Sequence, residues 1–238
     1  MTQDKILGQV SASETVDALW QVMSDYWARQ DIDCLSYFLL KRGQPESPVA
    51  IFRSGFPDNI PDVYQRNGYA KHDPAARYAL TTGKPLFVDQ LHTLTDFSRS
   101  EAKVYYAMRD IGANNVLILP VFGPNTINGF ICLMAPGNAD RVHRLDCEGA
   151  QSIAQIMHLK MIDLLPDAPV TIPNPLSDRE LEILRWVAQG KSNAVIADIL
   201  SLSAGTVDTY LRRIFEKLGV ADRTAAAVRG VSSGYILV

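Results

Sequence analysis

The sequence predicts an α+β protein in two parts. An N-terminal α/β/α sandwich surrounds a central antiparallel sheet of about five strands, and a C-terminal all-α four-helix helix-turn-helix domain follows. Three observations predict this. The stretch "PDAPVTIPNP", 166–175, holds four prolines in ten residues, which neither a helix interior nor a central strand tolerates, so it reads as an extended linker. Ahead of it, apolar runs joined by short loops are flanked by amphipathic segments. Behind it, four helix starts are each marked by punctuation, mostly a capping side chain. The expected domains are 1–165, a linker at 166–175, and 176–238.

The front part opens with "SETVDALWQVMSDYWARQ", where Val16, Leu19, Trp20, Met23, Tyr26 and Trp27 fall at helical spacing. "CLSYFLL" and "PVAIFRS" read as strands, with "KRGQPES" as the loop between them. "IPDVYQRNGYA" and "PAARYALTTG" read as short helices; Asp73 caps the second, Pro74 takes its first position, and Gly83 stands past its end. "PLFVDQ" is a short strand and "SRSEAKVYYAMRDIG" an amphipathic helix stopping at Gly112. "NNVLILPVF" and "GFICLMA" form a strand pair around "GPNTIN", and "DCEGAQSIAQIMHLKMIDLL" closes the domain as a long helix.

In the rear part Ser177 and Glu180 form a capping box ahead of the first helix, whose Leu181, Leu184, Trp186 and Val187 face a core before Gly190 stops it. Ser192 caps a short helix carrying Val195, Ile196, Ile199 and Leu200. Ser203 caps a third, 204–218, with Val207, Leu211, Ile214, Phe215 and Leu218 as its buried set; Gly219 ends it and Asp222 opens the last. Two helices joined by a tight turn in so small a unit follow the helix-turn-helix plan. The outer face of the third helix bears Asp208, Thr209, Arg212 and Arg213, residue types able to read base edges.

Composition excludes several classes. Of 238 residues, 47% are hydrophobic and 21% charged, ordinary for a globular protein with a core. No apolar run reaches the roughly 18 residues needed to span a membrane, and "MTQDKILGQVSASE" lacks a signal-peptide core, so the expected location is cytoplasmic. Cys34, Cys132 and Cys147 show no CxxC spacing and read as reduced structural thiols. Net charge is −3; residues 176–238 carry eight basic against seven acidic side chains, a balance that by itself does not point to nucleic acid. The "DRVHRLDCEG" cluster, with His143, Asp146 and Cys147, lacks a second His/Cys pair and reads as a polar turn rather than a metal site. No Ser-His-Asp, paired-carboxylate or phosphate-loop arrangement supports an enzyme, and no cofactor is expected.

The pattern "LSxRExEIL…GKSNxxIAxxL…S…TVxTYxxRIFxKLGVxxR" resembles the LuxR/NarL class of DNA-binding domain across all four helices. That resemblance implies base contacts at Asp208, Thr209 and Arg212, with Arg213 beside them, and phosphate contacts at Lys191, Ser192, Asn193, Ser203, Thr206 and Lys217. Asp208 stands where relatives often carry a basic or amide residue.

The front domain lacks the acidic pair and strand-ending aspartate of a phosphoreceiver. Element order, length, linker position and "FPDNIPDVYQRNGYAKHDP" instead resemble the ligand-binding domain of LuxR-type quorum-sensing regulators, which bind N-acyl-homoserine lactones. The resemblance implies that Asp73 accepts a hydrogen bond from the ligand amide N–H and that Tyr64 lies along the ligand. It also implies a pocket taking in Phe56, Ile60, Val88, Tyr105, Val116 and Cys132. Chemistry agrees, because an amide buried without a partner costs on the order of 2–7 kcal/mol. Four positions depart from the family pattern: the tryptophan that donates to the lactone carbonyl falls at Ile60, a second tryptophan at Val88, a glycine at Val116, and a hydroxyl at Cys132. The expected function is a ligand-responsive regulator binding palindromic promoter DNA as a homodimer, with RNA polymerase as a partner if it activates. A ligand-independent or antagonist regulator stays open as the alternative. The stripe Ile153, Ile156, Met157 and Leu164 reads as core or dimer surface.

Overall fold

The computed structural model describes residues 3–41, 44–57, 59–124, 127–165 and 175–236. The expected linker, 166–175, lies outside the described residues except for Pro175. Two compact units form, one from 1–123 and 127–168, the other chiefly from 169–238.

The first unit begins with α1 (Gln3–Ala12) and α2 (Val16–Ala28), then β1 (Cys34–Lys41) and β2 (Gln44–Ser54). Next come α3 (Asn59–Arg66), a 3₁₀ turn (Tyr69–His72), α4 (Pro74–Thr82), β3 (Leu86–Phe87), a second 3₁₀ turn (Val88–Gln90), α5 (Leu91–Leu94) and α6 (Arg99–Asp110). β4 (Val116–Val121), β5 (Gly129–Met134), α7 (Ala139–His143) and α8 (Cys147–Leu164) complete it. The strands form one antiparallel sheet in the order β2-β1-β5-β4-β3.

Side-chain alternation along the strands divides the core in two. Leu35, Tyr37 and Leu39 of β1, Leu117, Leu119 and Val121 of β4, and Ile131 and Leu133 of β5 pack against α1, α2 and α8. Val116, Ile118, Phe130, Cys132 and Met134 point to the opposite face, where residues of α3, α4 and α6 cover them. Both central strands are therefore apolar throughout, as a strand covered on two faces must be. Gly129 starts β5 because a Cβ there would lie 2.3 Å from the Phe38 carbonyl oxygen.

The structure departs from the expected elements in several places, among them the short helix α5 and α7, which forms where a polar turn was read. α1 was not expected, since only Ile6 and Val10 mark its inner face; both are buried, and α1 packs on α2 and α8. The strand read from "PLFVDQ" is only two residues long, pairing Leu86 with Ile118 and Phe87 with Leu117, and Val88 already belongs to a turn. Gln44–Ser47, read as loop, belongs to β2.

The second unit holds α9 (Asp178–Ala188), α10 (Asn193–Leu200), α11 (Ala204–Leu218) and α12 (Arg223–Ser232). Ser177, Ser192, Ser203 and Asp222 each accept a first-turn backbone N–H, and Gly190 and Gly219 take left-handed conformations past the ends of α9 and α11. α10 and α11 meet at a 108° bend, within the range of a helix-turn-helix. Ile183 joins Leu184 and Val187 in the core. On α10 the inner positions are Ile196 and Ala197, while Val195 and Ile199 are exposed.

Candidate functional site: an acidic pocket wall and a polar helix face

The cap that starts α4 also builds the first site. Asp73 Oδ1 accepts the Ala75 N–H at 2.8 Å, and Pro74 at the first helical position lacks the N–H that would compete. Oδ2 accepts the Tyr64 hydroxyl at 2.8 Å, which ties α3 to α4. The Tyr64 ring meets Tyr69 edge-on at 6.2 Å. Burial pushes the Asp73 carboxyl above the usual carboxylate range, against the lowering effect of Tyr64 and the Ala75 and Ala76 N–H groups. Burial and the neighbouring Asp73 push the Tyr64 phenol far up, so it stays a neutral donor.

The other expected pocket residues gather on the same face of the sheet. Ile60, Val88, Tyr105, Val116 and Cys132 belong to one buried cluster, and Phe56 packs against it. Burial pushes the Cys132 thiol up to about 12, leaving it neutral, and it bonds to Ser36 directly across the β1–β5 ladder. Ser36, one of few buried polar side chains described, was missed in the sequence; its alternation with Leu35 and Tyr37 places it on the pocket face only once the strand pairing is known. Phe38 and Phe130 stack at 4.7 Å beside it. The Tyr105 hydroxyl turns away and donates to the Asp89 carbonyl at 3.1 Å. A cleft of about 460 Å³ opens beside Asp73, Ala76, Leu80 and Phe130, with the Arg77–Glu101 ion pair at its rim. Ile60 and Val88, where the family pattern carries tryptophan, offer no donor.

His143, in the segment read as a polar turn, ends α7, bonds Asp89 Oδ2 at 2.9 Å and stacks on Phe87. Among the described residues no three His, Cys, Asp or Glu side chains are placed to hold a metal ion.

On α11 the buried side is Val207, Leu211, Ile214 and Leu218, which turns Asp208, Thr209, Arg212 and Arg213 outward. Arg212 Nη2 lies 2.7 Å from Asp208 Oδ2, one turn apart. The Thr209 hydroxyl donates to the Gly205 carbonyl at 2.9 Å, and Arg213 lies 5.9 Å over the Tyr210 ring. Ser203 and Thr206 bond each other at 2.8 Å at the start of the helix. Arg223, which the sequence reading left without a role, donates to the Lys191 carbonyl at 2.6 Å and reaches Asn193 Oδ1 at 3.5 Å, so it fixes the entry to α10 beside Ser192. Lys217, expected at a phosphate, places its ammonium 2.7 Å from Oε2 of Glu180, a residue only 2% exposed. A buried carboxylate draws in the nearest cation, and here that cation is Lys217.

A family profile for the autoinducer binding domain matches residues 15–161, more than half of the chain, and one for bacterial regulatory proteins of the luxR family matches 174–229. The chain belongs to the LuxR family. As a LuxR-type protein it is an autoinducer-responsive transcriptional regulator with a helix-turn-helix DNA-binding domain, not an enzyme. It is 30% identical over 177 residues to the quorum-sensing regulator RhlR of Pseudomonas aeruginosa, covering 73% of this chain and 70% of RhlR. It is 24% identical over 247 residues to the transcriptional activator AhyR of Aeromonas hydrophila, covering the whole chain and 94% of AhyR. The solved structure of Escherichia coli SdiA superposes with a TM-score of 0.70 at 22% identity, covering 99% of this chain and 98% of SdiA, which shows that the two share a fold. No single described helix of this LuxR-type chain is long and apolar enough to cross a membrane.

Proposed function

We propose that this LuxR-type regulator senses a small amphiphile through Asp73, an N-acyl-homoserine lactone or a related molecule, and reads palindromic promoter DNA as a homodimer. Residues 1–165 sense and dimerise, 166–175 link, and 176–238 bind DNA. The observation that carries this reading is the Asp73 carboxylate, bonded at both oxygens yet with lone pairs to spare, beside an apolar cluster. A carboxylate in such a wall selects a ligand that brings an N–H or O–H to it, because a ligand without a donor leaves the acceptor unpaired. Tyr64 holds the carboxylate in place; Phe56, Ile60, Val88, Tyr105, Val116 and Cys132 enclose the rest.

Ligand burial completes the sensor core and stabilises it by mass action, which favours the dimer geometry that reads two half-sites about one DNA turn apart. Asp208, Thr209, Arg212 and Arg213 meet the bases, while Lys191, Ser192, Asn193, Ser203, Thr206 and Lys217 meet phosphates. The protein works in the cytoplasm, with RNA polymerase as its partner wherever it activates.

A second reading rests on Ile60 and Val88. With no indole donor for a lactone carbonyl, the pocket suits a head group richer in donors than in acceptors. A solved structure of the relative SdiA is a complex with octanoyl-rac-glycerol, whose head carries hydroxyls. Mass spectrometry of small molecules released from protein purified from its native host separates the readings. A lactone supports the first and a hydroxylated amphiphile the second. An empty protein that no acyl-homoserine lactone stabilises against heat supports ligand-independent action and overturns both.

A further inference from the structure

The Asp208–Arg212 pair is hard to account for as a stabilising contact. Its side chains are 47% and 80% exposed, and exposed pairs of this kind add little to stability. An aspartate on the outer face of a helix that meets DNA is also unfavourable taken alone, since it faces phosphates of the same sign. What the pair does supply is geometry. Arg212 uses Nη2 on Asp208, and the guanidinium is a rigid planar fork whose remaining N–H groups keep their direction once one edge is held.

We propose that Asp208 is a specificity-determining positioning residue: it braces Arg212 for a guanine and itself accepts from a cytosine on the neighbouring base pair. The proposal rests on the reading of α11 as the recognition helix. Arg212 held from one side presents its free edge to guanine O6 and N7, the bidentate contact arginine makes in the major groove. The second lone pairs of the Asp208 carboxylate accept from cytosine N4–H. Positions 208 and 212 lie one turn apart on the same face of α11, about 6 Å along the helix axis, so their side chains, drawn together by the ion pair, converge on nearby base edges. The same carboxylate repels edges that offer only acceptors, guanine O6/N7 and thymine O4, so it also selects against wrong sites. Pairing with Arg212 offsets its charge as water leaves the groove.

The test is selection of bound duplexes from a randomised DNA pool by the full chain, comparing wild type with Asp208→Ala, Asp208→Asn and Arg212→Ala. Wild type is expected to enrich a guanine with an adjoining cytosine. Asp208→Ala should lose the cytosine preference, weaken the guanine preference about tenfold, and bind unselected DNA more tightly. Asp208→Asn should move the adjoining preference to adenine, which asparagine contacts at N6 and N7. A purely structural role for Asp208 moves none of these, and alanine at an exposed helical position preserves the helix, which a thermal melt confirms. If Asp208→Ala selects the wild-type motif while Arg212→Ala loses the guanine, the recognition helix stands and the role of Asp208 is overturned. If Arg212→Ala also selects the wild-type motif, the assignment of α11 fails and the proposal with it.

Discussion

Tyr64 donates its hydroxyl to Asp73 Oδ2 at 2.8 Å, and through that bond a helix cap becomes part of a pocket wall. Oδ1 meanwhile holds the Ala75 N–H, so each oxygen serves a different element. Asp73→Asn keeps a good N-cap while removing the charge, and the fold should survive within about 1 kcal/mol. The stabilisation that an added panel of N-acyl-homoserine lactones gives in a thermal melt should vanish. Tyr64→Phe removes one partner of the carboxylate and should cost about 1–3 kcal/mol. The pH sign follows from burial. The folded protein holds the Asp73 proton more tightly than the unfolded chain, so this group favours the fold as pH drops through the raised value and opposes it above. A ligand that donates to the carboxylate should bind more weakly over the same fall in pH.

Lys217 and Glu180 make a second prediction. Lys217→Ala leaves a buried carboxylate with only its Ser177 partner and should destabilise the C-terminal unit by about 1–3 kcal/mol, read from urea unfolding. Burial alone would raise the Glu180 pKa, but Lys217 and Ser177 more than offset it and leave it lowered. The stability it contributes is therefore present above the ordinary glutamate range and lost as pH falls through the lowered value. Lys217→Ala and Lys191→Ala should each reduce the slope of the salt dependence of DNA binding by about 1. An unchanged slope for Lys217→Ala would leave that residue to Glu180 alone.

His158 supplies the third. Fully buried, it accepts the Tyr37 hydroxyl at Nδ1 (2.8 Å) and donates Nε2–H to the Ile127 carbonyl (2.8 Å), joining α8 to β1 and to the entry of β5. Burial pushes its pKa down to about 4, so the folded protein keeps it neutral while the unfolded chain protonates near 6.5. Stability should thus fall by about 3 kcal/mol as pH drops from 6.5 to 4. His158→Gln should flatten that part of the pH–stability curve even where it lowers stability overall; an unchanged slope between those pH values would show that His158 does not set it.

Much of this was legible in the chain because the signals are local. Ser177, Ser192, Ser203 and Asp222 cap the helices they precede, since a cap acts on an N–H only two or three residues away. The same holds for Asp73 at α4. The unbroken apolar runs "VLILPV" and "GFICLM" announced strands covered on both faces. The family motif carried the DNA-binding unit, since its spacing records how four capped helices close on one core.

Tertiary structure decided what depends on residues far apart in sequence. Ser36 meets Cys132 only because β1 pairs with β5, and Lys217 finds Glu180 across 37 positions. α1 exists because α2 and α8 bury Ile6 and Val10, too weak a stripe to announce a helix alone. Val88 leaves the strand since β3 is an edge with only two paired residues. Sequence by itself determined the elements, the caps and the two-part plan, because those follow from backbone chemistry within a few residues. The pocket wall and the partner of each buried charge were settled by packing, where desolvation makes the nearest complementary group prevail wherever it lies along the chain.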